Sequence, residues 1–481
     1  MRFSEFYRLR KTQGQLDFVD IKLESDIPLY LDPYALTTRD DDWSSRCHAS
    51  LVSFFGAVLN CVVTNDRRRG AALLSRLTEP EETRLGVSKG HSRGRGIGEL
   101  QASDVFEAMA RSAAARTGLL EDLADFALFV PGIGRDKVSD MTTNIIRAEL
   151  IKYTQAQCRL HGVPMREVSS GFCWDVDREH WYQEYVQLPV YEGKKIILVP
   201  KFAVRYQVGV DAGVYRRDFV LEYLMEEHRR ADDALVTAVR NRKGVVTKRV
   251  VYKKTVDAYY PKDKDFLAEF SKSHPEVIDR YRESLKLAGS KIPELEAGDG
   301  LSERDLAAFL SRELLSVPSG RDQADEYHAL MVGIVSFIFF PDLIYPQKEV
   351  EINQGRKRID ITYTNGKVGG FFYRMALDQD IKANVVHVEC KNYSKDIANP
   401  ELDQLLGRFD RNRGKLGLML FRGADDVDLV RERCRDAARQ SLGIVLPMND
   451  DFILCALERI ARGERDSVDV DVDRLYRTII A

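Results

Sequence analysis

Between residues 301 and 481, apolar runs of strand length alternate with amphipathic stretches of helix length. "ERDLAAFLSRELL" and "DEYHALMVGIVSFIFF" carry helical spacing, and Pro341 stops the second. "KRIDITYTNG", "NVVHVECK", "LGLMLFR" and "GIVLPM" read as short apolar strands. "PELDQLLGRFDRN", "VDLVRERCRDAARQ" and "DDFILCALERIA" read as the helices between and after them. Such an order implies an α/β layer, a mixed central sheet flanked by helices. The stretch "GGFFYRMALDQD" (369–380) separates two strands as an excursion or an extra hairpin.

The residues before 301 are organised differently. Residues 1–165 read as a mixed, mostly helical region. "FVDIKLESDIPLYLDPYAL" is extended and broken by Pro28 and Pro33, and "HASLVSFFGAVLNCVV" has dense helical spacing. A basic glycine-rich loop, 86–98, contains Lys89, Arg93 and Arg95. Its backbone N–H groups suit a phosphate, but it lacks P-loop spacing and reads first as a flexible loop. Ser139 or Asp140 is expected to cap a helix that ends near Gly162. The polar cluster Asp136, Ser139, Asp140, Asn144 and Arg147 is partly explained by that cap, with a ligand-sensing role as the alternative. Residues 166–300 read as α+β, with two strands around a Glu192-Gly193 turn and a basic segment, 240–254, that contains no acid. "LAGSKIPELEAGDG" (287–300) reads as a linker.

A chain of 481 residues suggests three domains at roughly 150 residues each. Formal net charge is −3, so a nucleic-acid partner has to be met by local basic patches. Seven cysteines without a CxxC pair fit reduced thiols and a cytoplasmic setting. The first residues contain no apolar signal core. The longest apolar run, 330–340, is too short to span a bilayer and is expected to be a buried helix, so no membrane partner is expected.

The strand "NVVHVECK" ends on Glu389 and Lys391. Residues i and i+2 of a strand share a face, so the carboxylate and the ammonium are neighbours and Cys390 faces the other way. In the preceding strand, Ile359 and Ile361 share one face and Asp360 takes the other. If the two strands pair, Asp360 meets Glu389 and Lys391. Two close carboxylates repel unless a cation lies between them, and Mg²⁺ is typically held by one or two carboxylates plus waters and phosphate oxygens. The backbone carbonyl of Cys390 is a further hard ligand. Such an ion makes a hydroxide nucleophile and takes up phosphoryl charge, while Lys391 stabilises the attacking water. An ordinary structural ion pair is the alternative.

Asp360 followed by Glu389-Cys390-Lys391 resembles the D…(D/E)xK motif of the restriction-endonuclease-like, or PD-(D/E)xK, nuclease superfamily. The order of elements over 322–422 resembles that superfamily's core, and is most similar to the branch that includes type IV restriction enzymes. Ile359 stands where the motif often has proline. The resemblance implies a restriction-endonuclease-like domain over 301–481. It implies Asp360 and Glu389 as metal ligands, Lys391 as the catalytic lysine, and Mg²⁺ or Mn²⁺ as cofactor. It also implies an additional acid at Glu326 and a glutamine near the lysine at Gln404. Glu326 is equally explained by the helix dipole, and Gln404 by an ordinary polar surface. His387 shares the face of Glu389 as a structural residue or a DNA contact. The whole chain resembles uncharacterised bacterial multidomain nuclease proteins, which implies a role in defence against phage or foreign DNA.

The expected function is therefore an Mg²⁺-dependent endodeoxyribonuclease. Arg242, Lys243, Lys248, Arg249, Lys253 and Lys254 would contact the DNA backbone, and Tyr252, Tyr259 and Tyr260 would offer stacking surfaces. The alternatives are a non-catalytic nucleic-acid-binding protein of the same fold and an RNA-cleaving enzyme. The chain has no ATPase motif, so an energy-coupled or regulatory partner would be separate; a homo-oligomer is the other possible assembly.

Overall fold

The structure, a computed structural model, describes residues 1–86, 99–112, 123–206, 210–240, 246–289, 302–348, 361–392, 399–422 and 427–481. Its elements pack around two apolar cores. The first runs from Phe3 to Tyr281 and takes in Ile344 and Tyr345. The second runs from Leu306 to Ile479. No break between cores falls at 165/166. Phe54, on helix α1 (Asp42–Val63), stacks on Trp174 and Trp181, with centroids 5.0 and 5.4 Å away. Val19 N–H donates to Val199 O at 3.0 Å. The expected separation of 1–165 from 166–300 thus runs through one core, because the short strands after 166 find their apolar partners in helices before it.

Helix α1 is 22 residues long, and it is the one described helix long and apolar enough to cross a membrane by length and composition. Its Trp43, Leu51, Phe54 and Phe55 are buried in the first core. The expected cap at Ser139 or Asp140 is corrected. Helix α2 (Arg135–Ile145) begins behind Gly134, and α3 (Arg147–His161) follows after one residue. Ser139 lies inside α2, and its hydroxyl accepts from Leu31 N–H at 3.0 Å. Gly162 ends α3 with φ +68°, the left-handed closure expected of glycine at that position. Around Pro33 the chain is helical over Pro33–Thr37, because proline is tolerated at the first helical position and Asp32 accepts from Tyr34 N–H at 3.1 Å.

The basic segment forms a two-stranded antiparallel ribbon, β1 (Val236–Arg240) with β2 (Val246–Val251), followed by helix α4 (Lys253–Tyr259). Of the linker expected at 287–300, its first three residues end the helix Pro275–Gly289, and 290–300 lie outside the described residues. The basic loop at 86–98 also lies outside them, apart from Gly86.

From residue 302 onward, the elements are helix α5 (Glu303–Ser316), helix α6 (Ala324–Ile338), strand β3 (Leu343–Lys348), strand β4 (Ile361–Asn365), helix α7 (Gly370–Leu377), strand β5 (Val385–Asn392), helix α8 (Asn399–Leu406), strand β6 (Leu416–Arg422), helix α9 (Val427–Arg439), strand β7 (Ile444–Asn449), helix α10 (Asp450–Ala461) and helix α11 (Asp466–Ile480). The excursion at 369–380 is thus mainly a helix. The five strands form one mixed sheet in the order β3-β4-β5-β6-β7. β3, β4 and β5 are antiparallel, and β5, β6 and β7 are parallel, with α8 and α9 as the crossovers. β3 was not expected. It is an edge strand in which the register shifts between Ile344 and Gln347 and Tyr345 takes φ +51°. The bulge and Pro346 break the alternation by which strands are read, and proline is tolerated at an edge.

Candidate functional site

Strand β5 is central in the sheet, and its register places two charges at its C-terminal end. Val386 and Val388 share a face with Ile361 and Tyr363 across the antiparallel ladder and pack into the second core. His387, Glu389 and Lys391 take the other face. The Glu389 side chain is 4% exposed and Lys391 15% exposed, and the Lys391 Nζ contacts Glu389 Oε1 directly. The other carboxylate oxygen, Oε2, accepts from Arg408 Nη1 at 3.1 Å. Burial pushes the Glu389 carboxyl above the ordinary carboxylate range, and the neighbouring Lys391 opposes that shift.

Arg408 reaches Glu389 because α8 approaches the sheet closely. A Cβ on Gly417 of β6 would lie 3.0 Å from Leu405 and 3.1 Å from Phe409, so a bare Cα at 417 lets this stretch settle. The sequence reading missed Arg408. The signal was present: "LLGRF" sets one cation among apolar residues, and a cation in an apolar face needs a counter-charge. Gln404, one turn earlier, is half-buried. His387 is fully buried, with its ring 5.7 Å from Phe409, as a structural histidine would be.

The strand end opens on a cavity of about 760 Å³. Glu389, Cys390, Lys391 and Asn392 form one wall, and Arg321, in the turn before α6, with Asp325 and His328 in its first turns, forms another. Leu9, Lys11 and His161 close it from the N-terminal part. Among the described residues its lining carries four cations, Lys11, Arg321, Lys348 and Lys391, and two carboxylates, Asp325 and Glu389. Burial lowers the His328 pKa, opposed by Glu389. Glu326 is exposed and is not part of the lining, whereas its neighbour Asp325 is. Asp360 lies outside the described residues. The last described pair of the β4–β5 ladder joins Ile361, next after Asp360 in the chain, to Val388, next before Glu389. Among the described residues no group of three or more His, Cys, Asp or Glu converges as a metal cluster would.

The basic ribbon is far from uniformly available. Arg249 pairs with Asp232, and Lys253 lies 3.5 Å from Asp218 and 3.7 Å from Glu222. Lys248 and Lys254 are exposed and make no ion pair among the described residues; Arg242 and Lys243 lie outside them. Tyr252 and Tyr259 are exposed beside the ribbon. A phosphate contact at Lys248 or Lys254 releases a counterion. Alanine there is expected to flatten the log-affinity versus log-salt slope by about 0.9 per residue on duplex DNA. Arg249 and Lys253 should contribute less, since each must first give up an acid. Salt titrations of duplex binding with the two pairs of variants check this order, and equal slopes for all of them would leave the ribbon a solvated face.

Residues 8–210 match a family model described as a domain of unknown function, DUF8370. The match crosses 165, as the first core does. No curated protein and no solved structure matches the chain.

Proposed function

We propose that the cavity at the end of β5 is the catalytic site of a metal-dependent nuclease that hydrolyses phosphodiester bonds in DNA. The observation that carries this reading is the contact between the Glu389 carboxylate and the Lys391 ammonium at the C-terminal end of a buried strand, facing a cavity in which cations outnumber carboxylates among the described residues. A sheet of antiparallel strands followed by a parallel strand–helix–strand unit is compatible with the restriction-endonuclease-like core that the motif resembles.

The donor chemistry fits Mg²⁺ or Mn²⁺ in part. Glu389 offers hard oxygens, and Mg²⁺ needs only one or two carboxylates beside water and substrate oxygens. The reading requires Asp360 to come opposite Glu389 as the second carboxylate, with the Cys390 carbonyl as a further ligand. When bound, the ion supplies an activated water and charge stabilisation at the phosphoryl oxygens. The protein's own contributions follow from its charges. Arg408 holds the Glu389 carboxylate in place through Oε2. Lys391 Nζ presents N–H donors and a positive charge where negative charge grows in the transition state. Arg321 and Lys348 attract the strand to the cavity. Defence against foreign DNA remains an expectation from the resemblance, and a cytoplasmic setting one from the unpaired cysteines.

A second reading, a non-catalytic nucleic-acid-binding protein, is favoured by one fact: Lys391 and Arg408 already compensate Glu389. Incubation of the full chain with plasmid, single-stranded DNA and RNA, each with Mg²⁺, Mn²⁺ or EDTA, separates these readings. Cleavage of DNA that stops with EDTA supports the nuclease, cleavage of RNA alone changes its substrate, and binding without cleavage supports the second reading. Asp360→Asn is expected to remove cleavage and to weaken Mg²⁺ binding at least tenfold, roughly 1.4 kcal/mol, as loss of a charged ligand should. Calorimetric titration that finds wild-type Mg²⁺ affinity in this variant would remove Asp360 from the metal site.

A further inference from the structure

The N-terminal turn is built into the wall of the cavity. Gln13 fixes it from both ends, donating from Nε2 to Phe18 O at 2.8 Å and accepting at Oε1 from Asp20 N–H at 2.7 Å. Gly14 packs against Leu306 of α5 and Phe337 of α6 so closely that a Cβ would collide with Leu306. Gly333 of α6 leaves room for the same turn, since a Cβ there would lie 2.9 Å from Lys11 Nζ and 2.8 Å from Gln15 Nε2. Lys11 Nζ donates to Ala329 O at 2.8 Å. An ammonium has three N–H donors, and among the described residues Ala329 O is the one acceptor that Lys11 uses.

We propose that Lys11 is a positioning residue of this cavity, binding a phosphate of the substrate strand next to the one that is cut. The proposal rests on the nuclease reading of the same site. Among the described residues, Lys11 lines the cavity with three other cations and two carboxylates. Both histidines of the lining are held toward their neutral forms. Burial and the charge of Lys11 push His161 down to about 3, and burial lowers His328. Burial also brings the Lys11 ammonium down to about 8, as expected where, among the described residues, no carboxylate is close enough to compensate it. A bound anion would supply that compensation. Each phosphate of a nucleotide strand carries such an anion. A cavity of about 760 Å³ lies in the range of roughly 300–1,000 Å³ typical of small-ligand pockets, which suits a segment of single strand.

The test uses the full chain as wild type, Lys11→Met, Lys11→Arg and Lys391→Ala, with a labelled single-stranded DNA oligonucleotide and Mg²⁺. Lys11→Met is expected to raise KM about tenfold, the effect of one lost charge-assisted hydrogen bond, with kcat unchanged. It should also flatten the log-affinity versus log-salt slope by about 0.7. Lys11→Arg should restore both, and Lys391→Ala should lower kcat instead. If Lys11→Met lowers only the melting temperature, with KM and salt slope as in the wild type, Lys11 is a clamp on α6 and the proposal fails while the nuclease reading stands. If the wild type binds without cleaving and Lys11→Met weakens that binding, the phosphate contact stands and the nuclease reading fails. If the wild type neither binds nor cleaves, both fail.

Discussion

Lys391→Ala is expected to slow DNA cleavage about 10²–10³-fold, the loss that follows removal of one preorganised charge at a developing oxyanion. Mg²⁺ binding and DNA binding should persist, because the lysine is not a ligand and the cavity keeps its other cations. The side chain contacts Glu389 Oε1, yet the carboxylate does not lose its anchor with it, since Arg408 still donates to Oε2 at 3.1 Å. A nicking assay on plasmid, run beside calorimetric Mg²⁺ titration, reads both halves. Cleavage at the wild-type rate would sink the catalytic assignment and turn the domain into a binding module.

Glu389→Ala is expected to be the most destabilising change in the site as well as an inactive variant. Lys391 and Arg408 have side chains only 15% and 9% exposed, and both contact this carboxylate. Breaking a buried pair by removing one partner typically costs 3–5 kcal/mol, because the remaining charge has lost its compensation. The raised pKa of Glu389 shows that burying the carboxylate is itself costly, so the low end applies, about 3 kcal/mol. At roughly 2–4 °C per kcal/mol for a domain of 150–250 residues, Tm should fall by about 6–12 °C. Arg408→Met combined with Glu389→Met should recover part of that loss, since apolar replacements leave fewer buried charges unmatched. Thermal melts of Glu389→Ala and of the double variant make the comparison. An unchanged Tm in Glu389→Ala would mean that solvent already screens the three charges.

Much of the sheet domain was legible because its signals are local. "LGLMLFR" is β6 residue for residue, and the helical periods of α5 and α9 appear within their own segments. The Glu389–Lys391 pair was legible for the same reason, two residues of one strand on one face. β3 was not, because a bulge at Tyr345 and a proline at an edge remove the alternation. The extended stretch "FVDIKLESDIPLYLDPYAL" forms isolated bridges, Phe18 with Pro200 and Ile27 with Leu85, and one short pair, Tyr30–Leu31 with Val204–Arg205. Their partners lie far away in sequence, so no local period announces them.

Periodicity within a segment is a property of neighbouring residues, so the order of elements, the apolar face of β5 and the pair at its end are written in the sequence. Which side chains gather around that pair is settled by contacts between distant segments. Lys11 meets Ala329 across 318 positions, and Arg408 meets Glu389 from the far end of a crossover helix. Those meetings bring Gly14, Gly333 and Gly417 close against facing side chains, which would have to shift to make room for a Cβ. The cavity and its gathering of Lys11, Arg321, Lys348 and Lys391 exist only once those surfaces have closed, because burial makes the placement of each charge matter and brings together ions that are remote along the chain.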